Sequence, residues 1–87
     1  ISSIGGIFME TNLIPLYRVP CGKSAMVKEL TATGNLRRRM LDLGLVVGTI
    51  VEALRKSPLG DPIAYEIRGA VIALRSEEAS QVMVELL

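Results

Sequence analysis

No histidine occurs in the 87-residue chain, and its one cysteine, Cys21, stands between Pro20 and Gly22. Without an imidazole the chain lacks the usual general base near neutral pH and the commonest metal ligand, which excludes serine triads and zincin-type centres. One thiol with no histidine partner makes neither a cysteine nucleophile pair nor a structural zinc site, which needs about four ligands. Cys21 therefore reads as an inert loop or core residue, because activation requires a helix end or a basic neighbour. The nine carboxylates are scattered singly apart from Glu77 and Glu78. Adjacent helical residues diverge by ~100° around the axis, so that pair does not converge on one ion. Neither a G-x-x-x-x-G-K loop nor a G-x-G-x-x-G turn is present to cradle phosphate. No catalysis and no cofactor are expected beyond weak surface binding of a divalent transition metal.

Two features stand out as binding chemistry. Arg37, Arg38 and Arg39 form the one concentrated charge. On a helix three successive residues fan over ~200°, which favours a solvated face carrying an Arg38–Asp42 pair; the alternative is contact with an acidic protein surface or anionic lipid headgroups. Leu59 is an apolar residue in the polar run Ser57-Pro58-Leu59-Gly60-Asp61-Pro62. It either folds back onto the body of the domain or projects as a docking knob for another protein.

The elements that must position these residues follow from periodicity. Between Leu16 and Leu30, Ala25 and Val27 alternate with Met26, Lys28 and Leu30, which predicts a first strand after the Pro-Cys-Gly turn. Asn35 is placed to cap a helix running through Leu43, on which Leu36, Met40 and Leu43 make one apolar stripe. Gly44 suits a left-handed helix stop, where a β-branched residue would cost about 1 kcal/mol or more. Gly48 to Lys56 predicts a second strand, and Ser57-Pro58-Leu59-Gly60 a type I turn. Ile63, Tyr65 and Ile67 alternate with polar or small neighbours, Gly69 permits a tight reversal, and Val71 to Arg75 returns as the partner strand. Ser76 begins a helical turn whose Glu77 and Glu78 complement its positive end, and Val82, Val84 and Leu86 close the chain as a fifth strand. Connections this short rule out parallel crossovers, leaving a small antiparallel barrel, mostly β, with one short α-helix after the first strand and a helical turn before the last.

Composition bounds the rest. The chain has room for one modest core, built from aliphatic residues and methionine because Phe8, Tyr17 and Tyr65 are the only aromatics. A net charge of +1 and few stacking rings give no reason to expect nucleic acid as a ligand. Charged residues recur too often for a membrane-spanning helix, so the chain is not expected to span a membrane itself. A lone cysteine fits a reducing cytoplasm. The apolar opening, Ile1 to Phe8, lacks a basic leader and reads as a processing remnant with Met9 as the natural start. Residues 1–12 are accordingly expected to be a flexible extension and residues 13–87 a single barrel domain, with self-association left open.

Taken in order, Arg38 and Leu41, then Asp42-Leu43-Gly44-Leu45, Gly48-Thr49, Ser57-Pro58-Leu59-Gly60-Asp61-Pro62, Gly69, Ala73-Leu74-Arg75 and Glu78-Ala79 resemble the FeoA family over Leu16 to Leu87. Val47 stands where that family often carries proline. The resemblance implies a cytoplasmic barrel of the Src homology 3 type, non-enzymatic, assisting FeoB, the ferrous iron transporter with a cytoplasmic GTPase region. The resemblance supplies the partner, and the residues' own chemistry makes Arg37, Arg39, Pro58, Leu59, Gly60 and Asp61 the expected partner-binding residues. The alternative is a metal-sensing regulatory module resembling the carboxy-terminal barrel of diphtheria-toxin-repressor-type regulators.

Overall fold

A computed structural model describes residues 13–87. Six strands form one antiparallel sheet: β1 (Leu13–Pro15), β2 (Ser24–Leu30), β3 (Ile50–Lys56), β4 (Ile63–Ile67), β5 (Ala70–Leu74) and β6 (Val82–Leu86). Their spatial order is β1-β6-β2-β3-β4-β5, with β1 and β5 at the two edges. Helix α1 (Gly34–Asp42) follows β2, and the single turn α2 (Ser76–Ala79) precedes β6. The mostly-β architecture with one short helix and one helical turn is thus the expected one.

Alternation accounts for the strands. Ala25 and Val27 of β2, Val51 and Ala53 of β3, Ile63, Tyr65 and Ile67 of β4, and Val82 and Val84 of β6 all fall in one buried cluster, completed by Met40, Leu45 and Leu74. Side chains that point one way from every strand meet in one core only if the sheet curls around it, so the period-2 pattern sets the curvature as well as the strands. Two bulges, between Val27 and Glu29 and between Ala53 and Arg55, interrupt the register and permit the bend.

Two local expectations need correction. There are six strands, not five: Leu13–Pro15 pairs with β6, and Leu16–Arg18 is a 3-10 turn, not part of a strand. A three-residue strand ending in proline shows no alternation, and proline is tolerated there because β1 is an edge. The helix starts at Gly34, whose φ of +61° turns the chain, so Thr33 and not Asn35 holds the cap position. The hairpin turn uses positive φ at Arg68 as well as Gly69, +53° and +86°, the type I′ geometry that matches the twist of the paired strands. The expectation for residues 1–12 lies outside the described residues.

Candidate functional site

The loop from Ser57 to Pro62 is braced from within and from outside. The Gly60 amide donates to the Ser57 carbonyl at 2.7 Å, closing the turn, and the Ser57 amide donates to the Pro62 carbonyl at 3.1 Å, closing its base. Asp61 Oδ1 accepts the Ser76 amide at 2.7 Å, which ties the loop to the first residue of α2. Pro58, Leu59, Gly60 and Asp61 are all exposed, and Leu59 is 94% exposed. Of the two readings of Leu59, the structure takes the projecting one. Asp61 is engaged in holding the loop, so Pro58, Leu59 and Gly60 form the presented tip.

The arginine run is split by its partners. Arg39 Nη1 donates to Glu78 Oε2 at 2.6 Å, and Arg37 Nη1 reaches the Leu30 carbonyl at 3.4 Å. Among the described residues the only ion pairs are Arg39–Glu78 and Lys28–Glu85, so the expected Arg38–Asp42 pair does not form. An exposed i,i+4 pair gains little over hydration, whereas Glu78 is only 17% exposed in its side chain and holds Arg39 firmly. Arg37, Arg38, Leu41, Asp42 and Gly34 line a shallow depression on the outer side of α1.

Both features meet at α2. Asp61 binds its first amide, and Glu78 binds Arg39 while Glu78 Oε1 also accepts the Arg75 amide at 3.0 Å. A four-residue helical turn therefore fixes the loop on one side and α1 on the other. The Arg75 amide, and then the Arg39 guanidinium, hold the Glu78 carboxyl below the usual carboxylate range, against an opposing effect of burial. A carboxyl depressed in the folded state stabilises the fold above its unfolded value and loses that contribution as pH falls. Glu78→Gln is expected to cost about 1 kcal/mol near neutral pH, and thermal melts should show its deficit against the parent closing below about pH 4. A deficit that persists unchanged to pH 3 would show that charge is not its origin.

Sequence reading missed one arrangement of acids. Glu52 of β3 and Glu66 of β4 are direct register partners on the outer face, and with Ser24, Ile50 and Arg68 they line a second shallow depression. Opposed strand residues have Cβ atoms about 5 Å apart, so these carboxylates are neighbours although they lie far apart in the chain. Counting outward from the hairpin turn would have paired Glu66 with Val71, but the bulge after Ala53 hides the step to Glu52. No group of three or more potential metal-ligating His, Cys, Asp or Glu residues occurs among the described residues. Cys21 is exposed in its turn and free. No described helix is long and apolar enough to cross a membrane.

The FeoA domain model matches residues 14–86. Over 72 residues the chain is 33% identical to an Fe(2+) transport protein A/Fe(2+) transporter FeoB fusion protein of Porphyromonas gingivalis, covering 83% of this chain and 8% of the fusion. The chain thus spans a small part of that relative. Among solved structures, an FeoA-like protein from Clostridium acetobutylicum matches with TM-score 0.82 and 36% identity, over 90% of this chain and 91% of the other. Stenotrophomonas maltophilia FeoA complexed with zinc, described as a procaryotic SH3 domain protein, matches with TM-score 0.72 and 32% identity over 80% and 87%. A manganese-dependent transcriptional repressor shares the fold alone: TM-score 0.80 at 19% identity, over 91% of this chain and 44% of the repressor. With the family model spanning nearly every described residue and the barrel shared with solved members, this chain belongs to the FeoA family, whose members are named for ferrous iron transport.

Proposed function

We propose that this chain is a non-enzymatic accessory domain of ferrous iron uptake, which docks in the cytoplasm on the GTPase-containing part of an FeoB-like transporter and adjusts its activity. The observation that carries this reading is Leu59, 94% exposed on a loop tied down at both its base and its flank. The backbone of a braced loop has little conformational entropy left to lose on docking, so an apolar side chain at its tip keeps more of the free energy gained by its burial. Arg37 and Arg39 on α1, across α2 from the loop, supply cationic contacts; Arg37 keeps most of its donors available, while Arg39 is shared with Glu78. The fusion of an A-type domain to FeoB in Porphyromonas gingivalis supports the choice of partner, because covalent linkage keeps two interacting modules at high effective concentration.

Ferrous iron is the transporter's cargo, and this reading assigns the accessory domain no cofactor of its own. The likeness to metal-dependent repressor domains supports the barrel and no regulatory role, since one architecture hosts many functions. Capture of detergent-solubilised FeoB by the immobilised chain tests the proposal. Leu59→Asp is expected to weaken capture about tenfold, equivalent to about 1.4 kcal/mol, with an unchanged melting temperature because the side chain touches little of its own domain. Equal capture by parent and variant overturns the loop contact.

A further inference from the structure

The free edge of β5 is built to pair with another strand. Its five residues, Ala70-Val71-Ile72-Ala73-Leu74, carry no charge and no proline, and β5 ends the sheet with β4 on one side only. In a two-residue hairpin the flanking residues, Ile67 and Ala70, form a hydrogen-bonded pair, and such pairs then alternate with non-bonded ones. Tyr65 with Ile72 and Ile63 with Leu74 are therefore bonded pairs, whereas Val71 and Ala73, opposite Glu66 and Ala64, turn their N–H and C=O groups away from β4. Outside the strand ladder, no hydrogen bond to the backbone of either residue is present among the described residues. Both are exposed, Val71 at 60%. Edge strands usually block such pairing with a charge, a proline or a bulge, and β5 has none of these devices.

The outer face beside this edge is polar in a particular sense. Cross-strand registration lays down two rows that end on β5: Arg55, Ala64 and Ala73 in one, and Glu52, Glu66 and Val71 in the other. One end of the face thus carries Arg55 and the other the opposed Glu52 and Glu66 with Arg68 beside them; Arg55 has no ion-pair partner among the described residues. A partner strand that runs antiparallel about a twofold axis at Ile72 sets Val71 of one chain opposite Ala73 of the other. Each basic row is then continued by the acidic row of the second copy, and each Val71 side chain rests over the small Ala73 and Ala64 of the other. Parallel addition would set like rows together.

We propose that a second copy of this chain occupies the β5 edge, in an antiparallel twofold pairing that joins the two sheets through Val71 and Ala73. Such an interface is smaller than a standard stable one, so dimer is expected to accumulate over about 10 μM to 1 mM. Sedimentation equilibrium of the full chain reads this directly. Val71→Lys, which puts a charge on the edge, and Ala73→Pro, which removes an outward N–H without touching a bond to β4, should each weaken association at least tenfold with little change in melting temperature. Leu59→Asp should leave it unchanged, which separates this edge from the loop proposed to meet the transporter. Monomer throughout the range, or dimer that survives both edge variants, or dimer lost with Leu59→Asp, overturns the proposal.

Discussion

Gly44→Val is expected to destabilise the domain by about 2–4 kcal/mol, enough to lower its melting temperature by roughly 10–25 °C. Gly44 ends α1 with φ at +99°, where a side chain with a Cβ is strained, and that Cβ would lie 3.3 Å from Cγ2 of Ile67 in the core. The stop is a complete double-bonded cap: the Gly44 amide donates to Leu41 at 3.0 Å and the Leu45 amide to Met40 at 2.9 Å. Leu45 and Met40, joined by the outer bond, are both fully buried. The glycine therefore does more than end a helix, because it turns the chain so that Leu45 enters the core one residue later. Valine adds the backbone strain and the crowding against Ile67 together, whereas Gly44→Ala adds the strain with a milder contact and should fall near 1–2 kcal/mol. Urea unfolding with an unchanged m-value would measure both. A valine variant within about 0.5 kcal/mol of the parent would contradict the cap as described.

How far the fold was legible follows from which forces act locally. The stripe of Leu36, Met40 and Leu43, the alternation of Ile63, Tyr65 and Ile67, and the glycine stop after α1 all depend on the chain's own period and on φ, so spacing alone reveals them. Leu13–Pro15 is different. It is a strand only because β6 lies beside it, and three residues carry no period of their own. Asn35 has a good capping side chain, but Gly34 turns the chain first and leaves it inside the helix. Local propensity was right about a helix start here and wrong about which residue makes it.

The site divides in the same way. Leu59 was conspicuous because an apolar side chain in a polar turn needs a reason, and its projection depends on bonds that close within the loop itself. The roles of Asp61 and Arg39 were not legible, because their partners, Ser76 and Glu78, are distant in sequence and arrive only when α2 packs between loop and helix. A local rule pairs Arg38 with Asp42, yet the bond that forms is the less exposed one from Arg39. The opposition of Glu52 and Glu66 needs the sheet register, which a bulge shifts. Neighbour rules thus reach within an element, and contacts between elements require the fold.

Tyr65→Ala is expected to cost about 3–5 kcal/mol, a large share of the stability of a domain this size. Tyr65 is fully buried at the centre of β4 and heads the large side chains of the core, so its removal leaves a cavity lined by residues that strands fix in place. Tyr65→Phe keeps the ring and isolates the hydroxyl, which donates to the Leu16 carbonyl at 3.4 Å. That carbonyl also accepts the Val19 amide at 3.1 Å and is not orphaned, so the phenylalanine variant should lose no more than about 1 kcal/mol. Alkaline pH separates the two roles further. Burial chiefly, with Cys21 and Asp61 adding negative charge nearby, raises the Tyr65 hydroxyl well above the ordinary tyrosine value. A group raised in the folded state gives its full contribution below its unfolded value of about 10 and loses it as pH climbs past that value, because only the unfolded chain then releases the proton. Between pH 8 and pH 11 the parent should therefore lose more stability than Tyr65→Phe, and the small deficit of the variant should shrink or reverse. Parallel stability profiles across that interval would mean that the hydroxyl ionises as readily inside the barrel as outside it, which a phenol enclosed by Leu16 and the core does not allow.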